Sequence, residues 1–305
     1  MSKEFKGIFI IPCTPFKKTE EGFIDVDEDS LRSLVNYVVE AGAHGIVMPQ
    51  LASEFYTLSE DERKRITEVI IETVKGRIPV VIGVQAVNTR LAVTYAKHAY
   101  KKGANAVIAL PPYLPTGGEE RIFDYFKAIS DAIDIPVFIQ NGGPPLGSSL
   151  TPAFIAKMVK EIKNVKYVKE EVAPTTHSIS ADLKACGKAI KGVFGGAGGV
   201  YMIEEFKRGA VGNMPTCEYT EIAVEVYNRY DKGDEEGARE LHKELMALQR
   251  INNIHGAIKE VLKRRGVIKA TYSRIPTPGL DEFDHMEIER NLKKAARYLK
   301  IYKPE

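Results

Sequence analysis

The chain has 305 residues, a formal net charge of +2, 44% hydrophobic and 28% charged residues. These are values of a globular protein, long enough for two average domains or one large α/β barrel. The small charge and the lack of a basic block argue against a nucleic-acid partner, and no apolar run approaches the ~20 residues of a spanning helix, so no membrane partner is expected. The start, Met1-Ser2-Lys3-Glu4-Phe5, has no apolar core of a secretory signal. Cys13, Cys186 and Cys217 are far apart and odd in number, which fits neither a disulfide framework nor a metal-ligand spacing. The scattered histidines offer no His-x-x-x-His pair. A cytoplasmic protein without a metal is the expectation.

Taken in order, Lys6–Pro12 is a continuous apolar run, as in a strand buried on both faces. A turn at Thr14-Pro15-Phe16 and polar residues follow. A helix opens at Asp27–Ser30, with Leu31, Leu34, Val35, Val38 and Val39 on one face, and stops at Gly42. Gly45–Pro49 reads as the second strand. Ser59-Glu60-Asp61-Glu62 is a capping-box start for a helix reaching about Lys75. Strands then fall at 79–84, 106–110, 136–140, 165–169, 192–194 and 210–214, alternating with helices near 89–102, 119–133, 151–162, 176–187 and 201–207.

Eight β-then-α units at this spacing predict a (β/α)8 TIM barrel over residues 1–216. A doubly wound open sheet is the alternative, weakened because no Gly-x-Gly-x-x-Gly follows the first strand. Residues 217–305 read as the eighth helix and a C-terminal helical extension, with helices near 220–231, 234–251, 257–265 and 287–302 and a break at Pro276–Gly279. Such a tail would cap the barrel or contact another subunit.

The C-terminal ends of barrel strands carry the chemistry of this fold. They gather Cys13, Ser53, Glu54, Gln85, Tyr113, Gln140, Asn141, Lys169, Glu171, Gly196 and Met214. In the strand Val165–Lys169, alternation sends Lys169 and Glu171 to the same side. One explanation is a strand end fraying into water. The other is a buried reactive amine: burial disfavours an amine's charge, and a neutral amine attacks a ketone to form a Schiff base. A neighbouring carboxylate opposes the neutral amine but stabilises an iminium, and it can remove a proton from the adjacent carbon. Ser53, Tyr113, Gln140 and Asn141 offer hydrogen bonds to a carboxylate or hydroxyls. Ser53-Glu54 could equally be a turn or cap before the Ser59 helix, and Tyr113 could pack its proline-rich loop. Gly195–Gly199 fits a phosphate cradle or a tight strand-to-helix turn. No base is placed beside Cys13.

The motifs Ser53-Glu54, Tyr56-Thr57-Leu58-Ser59 with Glu62-Arg63, Pro112-Tyr113, Pro136-Val137 with Asn141, and Val168-Lys169-Glu170 resemble those of the dihydrodipicolinate synthase / N-acetylneuraminate lyase superfamily over nearly the whole chain. The resemblance implies a (β/α)8 barrel with C-terminal helices, a Schiff base on Lys169, a small 2-oxo acid substrate, no metal or organic cofactor, and a homotetramer (or dimer). Together with the chemistry above, the candidate catalytic residues are Lys169 and Glu171, and the candidate substrate-binding residues are Ser53, Ala52, Gln140, Asn141, Tyr113, Gly196 and Met214.

The chain departs from the usual pattern at informative places. Gln50-Leu51-Ala52-Ser53-Glu54 stands where the superfamily has Gly-Thr-Thr-Gly-Glu. Gln140 stands in place of the catalytic tyrosine, and the arginine that serves dicarboxylic substrates aligns near Pro144-Pro145. In Ser53-Glu54, Gln140, Lys169-Glu170-Glu171, Pro111-Pro112-Tyr113 and Arg265-Gly266-Val267-Ile268 leading to Pro278, the chain is similar to the L-2-keto-3-deoxyarabonate dehydratase branch. The expected activity is dehydration of a 2-keto-3-deoxy sugar acid. A pyruvate-dependent aldolase or a dihydrodipicolinate synthase is the alternative, and a non-catalytic keto-acid-binding barrel the third.

Overall fold

The computed structural model describes residues 5–113, 117–143, 147–253, 256–276 and 279–301. Eight parallel strands close into a barrel: β1 (Gly7–Ile10), β4 (Gly45–Met48), β5 (Val80–Gly83), β6 (Ala106–Ala109), β7 (Val137–Asn141), β8 (Val165–Glu170), β9 (Gly192–Gly195) and β10 (Gly212–Asn213). All are buried along their length except at Lys166. Helices on the outside of a parallel barrel explain why these segments read as unbroken apolar runs. The open-sheet alternative is excluded by closure.

β2 (Phe16–Lys18) and β3 (Ile24–Val26) form an antiparallel hairpin that sequence reading took for a turn and polar linker. Its strands are three residues long, too short for alternation to register, and Gly22 at φ +92° supplies the left-handed turn residue.

The helices begin where the chain offers side-chain acceptors for orphaned N–H groups. Asp27 caps α1 (Glu28–Glu40) through Ser30 N. Ser59 and Glu62 close the expected capping box of α2 (Glu60–Val74). Asn88 caps α3 (Thr89–Lys102) and Thr151 caps α5 (Pro152–Glu161). α4 (Glu119–Asp131), α6 (Thr175–Cys186) and α7 (Met202–Lys207) complete the alternation. Each amphipathic stripe, such as Ile66, Val69, Ile70 and Val74 of α2, is buried; sealing one such side chain from water contributes about 1.5–3 kcal/mol before the entropy of ordering is subtracted.

After β10 the chain is helical: α8 (Thr220–Asp231), α9 (Glu235–Gln249), α10 (Ala257–Arg264) and α11 (Glu282–Ala295). α11 begins five residues before the sequence-predicted start at 287, because Asp281 and Asp284 form a second capping box. Tyr302, Pro278, Pro144, Pro145, Leu114 and Pro115 lie outside the described residues.

The chain divides into two compact units. The first joins the stretch up to Phe9 to Pro79–Pro215; the second joins Ile10–Ile78 to the stretch from Thr216 onward. In the first unit, Phe5, Phe9, Phe138, Tyr167 and Phe194 form a buried aromatic layer, with Phe138 and Tyr167 stacked at 4.6 Å. In the second, Arg265 donates to Tyr37 Oη (2.7 Å) and Glu221 Oε1 (2.6 Å), while Tyr37 Oη donates to Glu221 Oε2 (2.7 Å). Arg274 forks onto both carboxylate oxygens of Glu62 and so ties the chain beyond α10 to α2.

Candidate active site

The site is built at the C-terminal end of β8. A register shift between β7 and β8 pairs Val137 with Val165 but Phe138 with Tyr167, leaving Lys166 as the extra residue. From there Gln140 lies directly beside Lys169, and Asn141 beside Glu170. Phe138 and Tyr167, two residues earlier on each strand, stack against one another. Gln140 and Lys169 therefore stand on the aromatic layer, on the same face.

Lys169 is 3% exposed, and its Nζ lies 2.9 Å from Glu171 Oε2. The same oxygen accepts from Gln140 Nε2 at 2.7 Å, and Glu171 Oε1 accepts from Ala197 N at 3.0 Å. Burial alone would push the Glu171 carboxyl up. The Lys169 ammonium beside it, aided by the Gln140 and Ala197 donors, outweighs burial and holds it below the usual carboxylate range. Gln140 is fully buried, and its remaining oxygen, Oε1, has no hydrogen-bond partner among the described residues.

Gly196 is required by this arrangement. A Cβ there would stand 2.5 Å from Glu171 Cγ and Oε1. The glycines after β9 thus make room for a carboxylate, and the Ala197 amide is already committed to it. This is the tight-turn reading of the glycine stretch.

Other predicted residues occupy different surroundings. Asn141 donates to Leu150 O (3.2 Å) and Glu170 Oε2 (2.7 Å) and accepts from Leu150 N (2.9 Å), which commits its amide to Leu150 and Glu170. Met214 is buried, its N–H bonded to Gly195 O at 3.0 Å. Tyr113 is half-buried, four residues beyond β6. In the second unit Ser53 is buried within a 3₁₀ turn, Leu51–Ser53. Its hydroxyl donates to Pro12 O (2.6 Å) and accepts from Gln50 N (3.0 Å), and its carbonyl accepts from Thr14 Oγ1 (2.6 Å). Ser53 therefore braces the turn with its hydrogen bonds. Ala52 is half-buried on a cavity of about 350 Å³ that also meets Cys13, Glu54, Tyr56, Lys259 and Ser273. There Glu54, at φ +55°, accepts from Lys259, Ser273 and Arg274. A cavity of about 540 Å³ along α9 and α11 is lined by Glu244, Arg290 and Arg297 and holds none of the predicted site residues.

Three buried carboxylates have no role in the sequence reading. Glu170 points away from Lys169, accepting from Asn141 and from Val172 N, and hydrogen-bonds Asp182 of α6. Burial first, and the Asp182 carboxyl second, push Glu170 up, and burial pushes Asp182 up as well. Glu205 of α7 accepts from Thr175 Oγ1 (2.7 Å) and Asn213 Nδ2 (2.8 Å); burial pushes it up to about 7. The available signal was a carboxylate on the apolar stripe of a helix, Asp182 beside Ile179 and Cys186, and Glu205 beside Met202 and Phe206.

A buried lysine paired with a carboxylate at a barrel strand end is equipment for carbonyl chemistry, and comparison with known proteins agrees. Residues 4–295 match the model of the dihydrodipicolinate synthetase family. The chain belongs to that family. Its similarity to an L-2-keto-3-deoxyarabonate dehydratase of Azospirillum brasilense is 28% identity over 284 residues, 90% of this chain and 89% of that protein. Its similarity to a 4-hydroxy-tetrahydrodipicolinate synthase of Bradyrhizobium diazoefficiens is 34% over 253 residues, 82% of each. Among solved structures, the dihydrodipicolinate synthase of Thermotoga maritima superposes with a TM-score of 0.87 at 25% identity, covering 96% of this chain and 99% of that one. The chloride-inhibited dihydrodipicolinate synthase of Acinetobacter baumannii, complexed with pyruvate, gives 0.86 at 26%, with the same coverage. The protein is a lyase of this superfamily, whose enzymes work through a Schiff base. Among the described residues no helix is long and apolar enough to cross a membrane, and no group of three or more His, Cys, Asp or Glu is arranged around a metal position.

Proposed function

We propose that the protein dehydrates a 2-keto-3-deoxy sugar acid such as L-2-keto-3-deoxyarabonate. The observation that carries this reading is the Gln140–Glu171–Lys169 chain, in which an amide occupies the place of the superfamily tyrosine and donates to the carboxylate that pairs with the lysine. A carboxylamide cannot relay protons as a phenol does, so Glu171 is the acid/base nearest the amine. The likeness to the Azospirillum brasilense dehydratase supports the same choice.

In this mechanism the 2.9 Å contact lets Glu171 accept the ammonium proton of Lys169, freeing the amine. Nζ attacks the C2 ketone, and Glu171 returns the proton to the carbinolamine oxygen, which leaves as water to give the iminium and frees the carboxylate again. Glu171 removes a proton from C3, placing the electron pair in an enamine. The enamine expels the C4 hydroxyl, which leaves as water with a proton returned by Glu171. Hydrolysis restores Lys169 and consumes the water first lost, so one water departs overall. The unpartnered Gln140 Oε1 suits a hydroxyl of the substrate, a donor that would satisfy it.

The 34% identity to a synthase keeps a carbon–carbon bond-forming or bond-cleaving activity as the second reading. Borohydride reduction with a panel of 2-keto-3-deoxy acids and pyruvate, followed by peptide mass mapping, should place the adduct on Lys169; an unlabelled Lys169 refutes Schiff-base chemistry. Product analysis then separates the readings. A dehydrated semialdehyde without pyruvate supports the dehydratase, and pyruvate release makes the protein an aldolase. Assembly as a homotetramer or dimer in the cytoplasm belongs to the same proposal, and sedimentation of the purified protein measures the assembly.

A further inference from the structure

Two of the three cysteines, remote in sequence, meet in the second unit. Ile11 and Thr216 are partners across a parallel bridge, which sets neighbouring backbones about 4.8 Å apart. Cys13 lies two residues beyond the first and Cys217 one beyond the second. Their thiols interact, both side chains are buried, and neither is in a disulfide. Cys13 also forms part of the wall of the 350 Å³ cavity, beside Glu54 and Lys259. We propose that Cys13 and Cys217 form a reactive dithiol, a modification site in which a peroxide entering the cavity oxidises Cys13 and Cys217 resolves the product to a disulfide.

The roles follow from access: Cys13 is in the wall of the cavity, and Cys217 is not among its lining residues. The Cys217 thiol beside it favours the Cys13 thiolate; burial opposes this, the Lys259 ammonium assists it, and the Glu54 and Glu218 carboxylates oppose it. Cys217 is held well above the usual thiol range, by its bond to Cys13 first and burial second. The thiolate is the nucleophile toward peroxides. Cys13 sulfur attacks one peroxide oxygen; the O–O bond breaks, and hydrogen peroxide leaves a sulfenic acid on Cys13 and one hydroxide. Cys217 sulfur then attacks the sulfenic sulfur, the S–S bond forms, and the sulfenic oxygen departs as water with the Cys217 proton. In sum two thiols lose two electrons and two protons, and one hydrogen peroxide becomes two waters. A bridge needs Cα atoms about 4.4–6.8 Å apart, a range that the Ile11–Thr216 pairing puts within reach. Cys186, on α6 with no thiol partner, is held up by burial to about 11 and serves as the internal control.

The test uses the intact chain, hydrogen peroxide, an N-ethylmaleimide quench and non-reducing peptide mapping, with far-UV circular dichroism recorded before the quench. The expected result is a Cys13–Cys217 disulfide peptide, abolished by dithiothreitol, with Cys186 recovered as its maleimide adduct and the spectrum unchanged. Recovery of both Cys13 and Cys217 as maleimide adducts under conditions that oxidise Cys186 overturns the proposal, as does a cross-link that forms only once the spectrum has changed. In Cys217→Ser, dimedone should capture a sulfenic acid on Cys13, and its absence in the folded variant overturns the assigned roles. If that variant does not fold, the map of the unaltered protein decides.

Discussion

Lys169 and Glu171 meet at 2.9 Å, although only Lys169 lies within β8. The carboxylate reaches back over the strand end because Gln140 and Ala197 hold its two oxygens. If Glu171 is the C3 base, Glu171→Gln lowers kcat about 10²–10⁴-fold. Borohydride should still label Lys169 in that variant, since the amine remains. Steady-state kinetics together with adduct mass checks both, and unchanged turnover reassigns the base.

Gly196→Ala tests the same contact from the opposite side. The added methyl meets Glu171 at 2.5 Å and has to displace it. The expected cost to folding is about 1–3 kcal/mol, as for an overpacked interior, with kcat falling by a factor approaching that of Glu171→Gln. Urea denaturation and kinetics on one preparation separate the two effects; a full-activity variant would show that the carboxylate position is not critical.

Glu205 gives a pH-dependent stability with a definite sign. Its folded pKa of about 7 exceeds the ordinary 4.5. The folded protein therefore binds this proton more tightly than the unfolded chain, and stability from this group is lost as pH rises from about 4.5 through about 7. Removing the charge should stabilise at high pH. Glu205→Gln is expected to gain on the order of 2–3 kcal/mol over the native chain at pH 8 relative to pH 5. Asn213 Oδ1 nearby, without a hydrogen-bond partner among the described residues, can accept from the new amide if the Asn213 amide turns. Denaturant unfolding at the two pH values measures it, and a pH-independent difference contradicts the assignment.

Arg265 should be costly to replace alone. Arg265→Met leaves Glu221 buried without its cation, a loss of about 3–5 kcal/mol. Replacing both, Arg265→Met with Glu221→Leu, should restore much of it, because the desolvation penalty disappears with the second charge. Chemical denaturation of the single and double variants decides; equal losses would mean that packing of the guanidinium on the Tyr37 ring, 4.6 Å away, dominates.

The sequence by itself determined the repeating β-then-α order, the helix starts at Asp27 and Ser59, and Lys169 as the amine at a strand end. Each depends on local rules: apolar runs, capping side chains and two-residue alternation. The resemblance to the superfamily also placed Gln140 where a tyrosine is usual. Tertiary structure decided the rest. The extra residue at Lys166 fixes the register that sets Gln140 against Lys169, and a one-residue slip would have sent it elsewhere. Asn141 and Ser53 carry polar groups that fit a ligand, yet backbone partners claim them. Glu170, Asp182 and Glu205 look like surface charges until their helices and strands are packed together. Cys13 and Cys217 are strangers in the chain and become neighbours only because β1 and β10 lie side by side. Hydrogen bonds and ionisation depend on what comes close in space, and closeness between distant residues is set by the closing of the sheet.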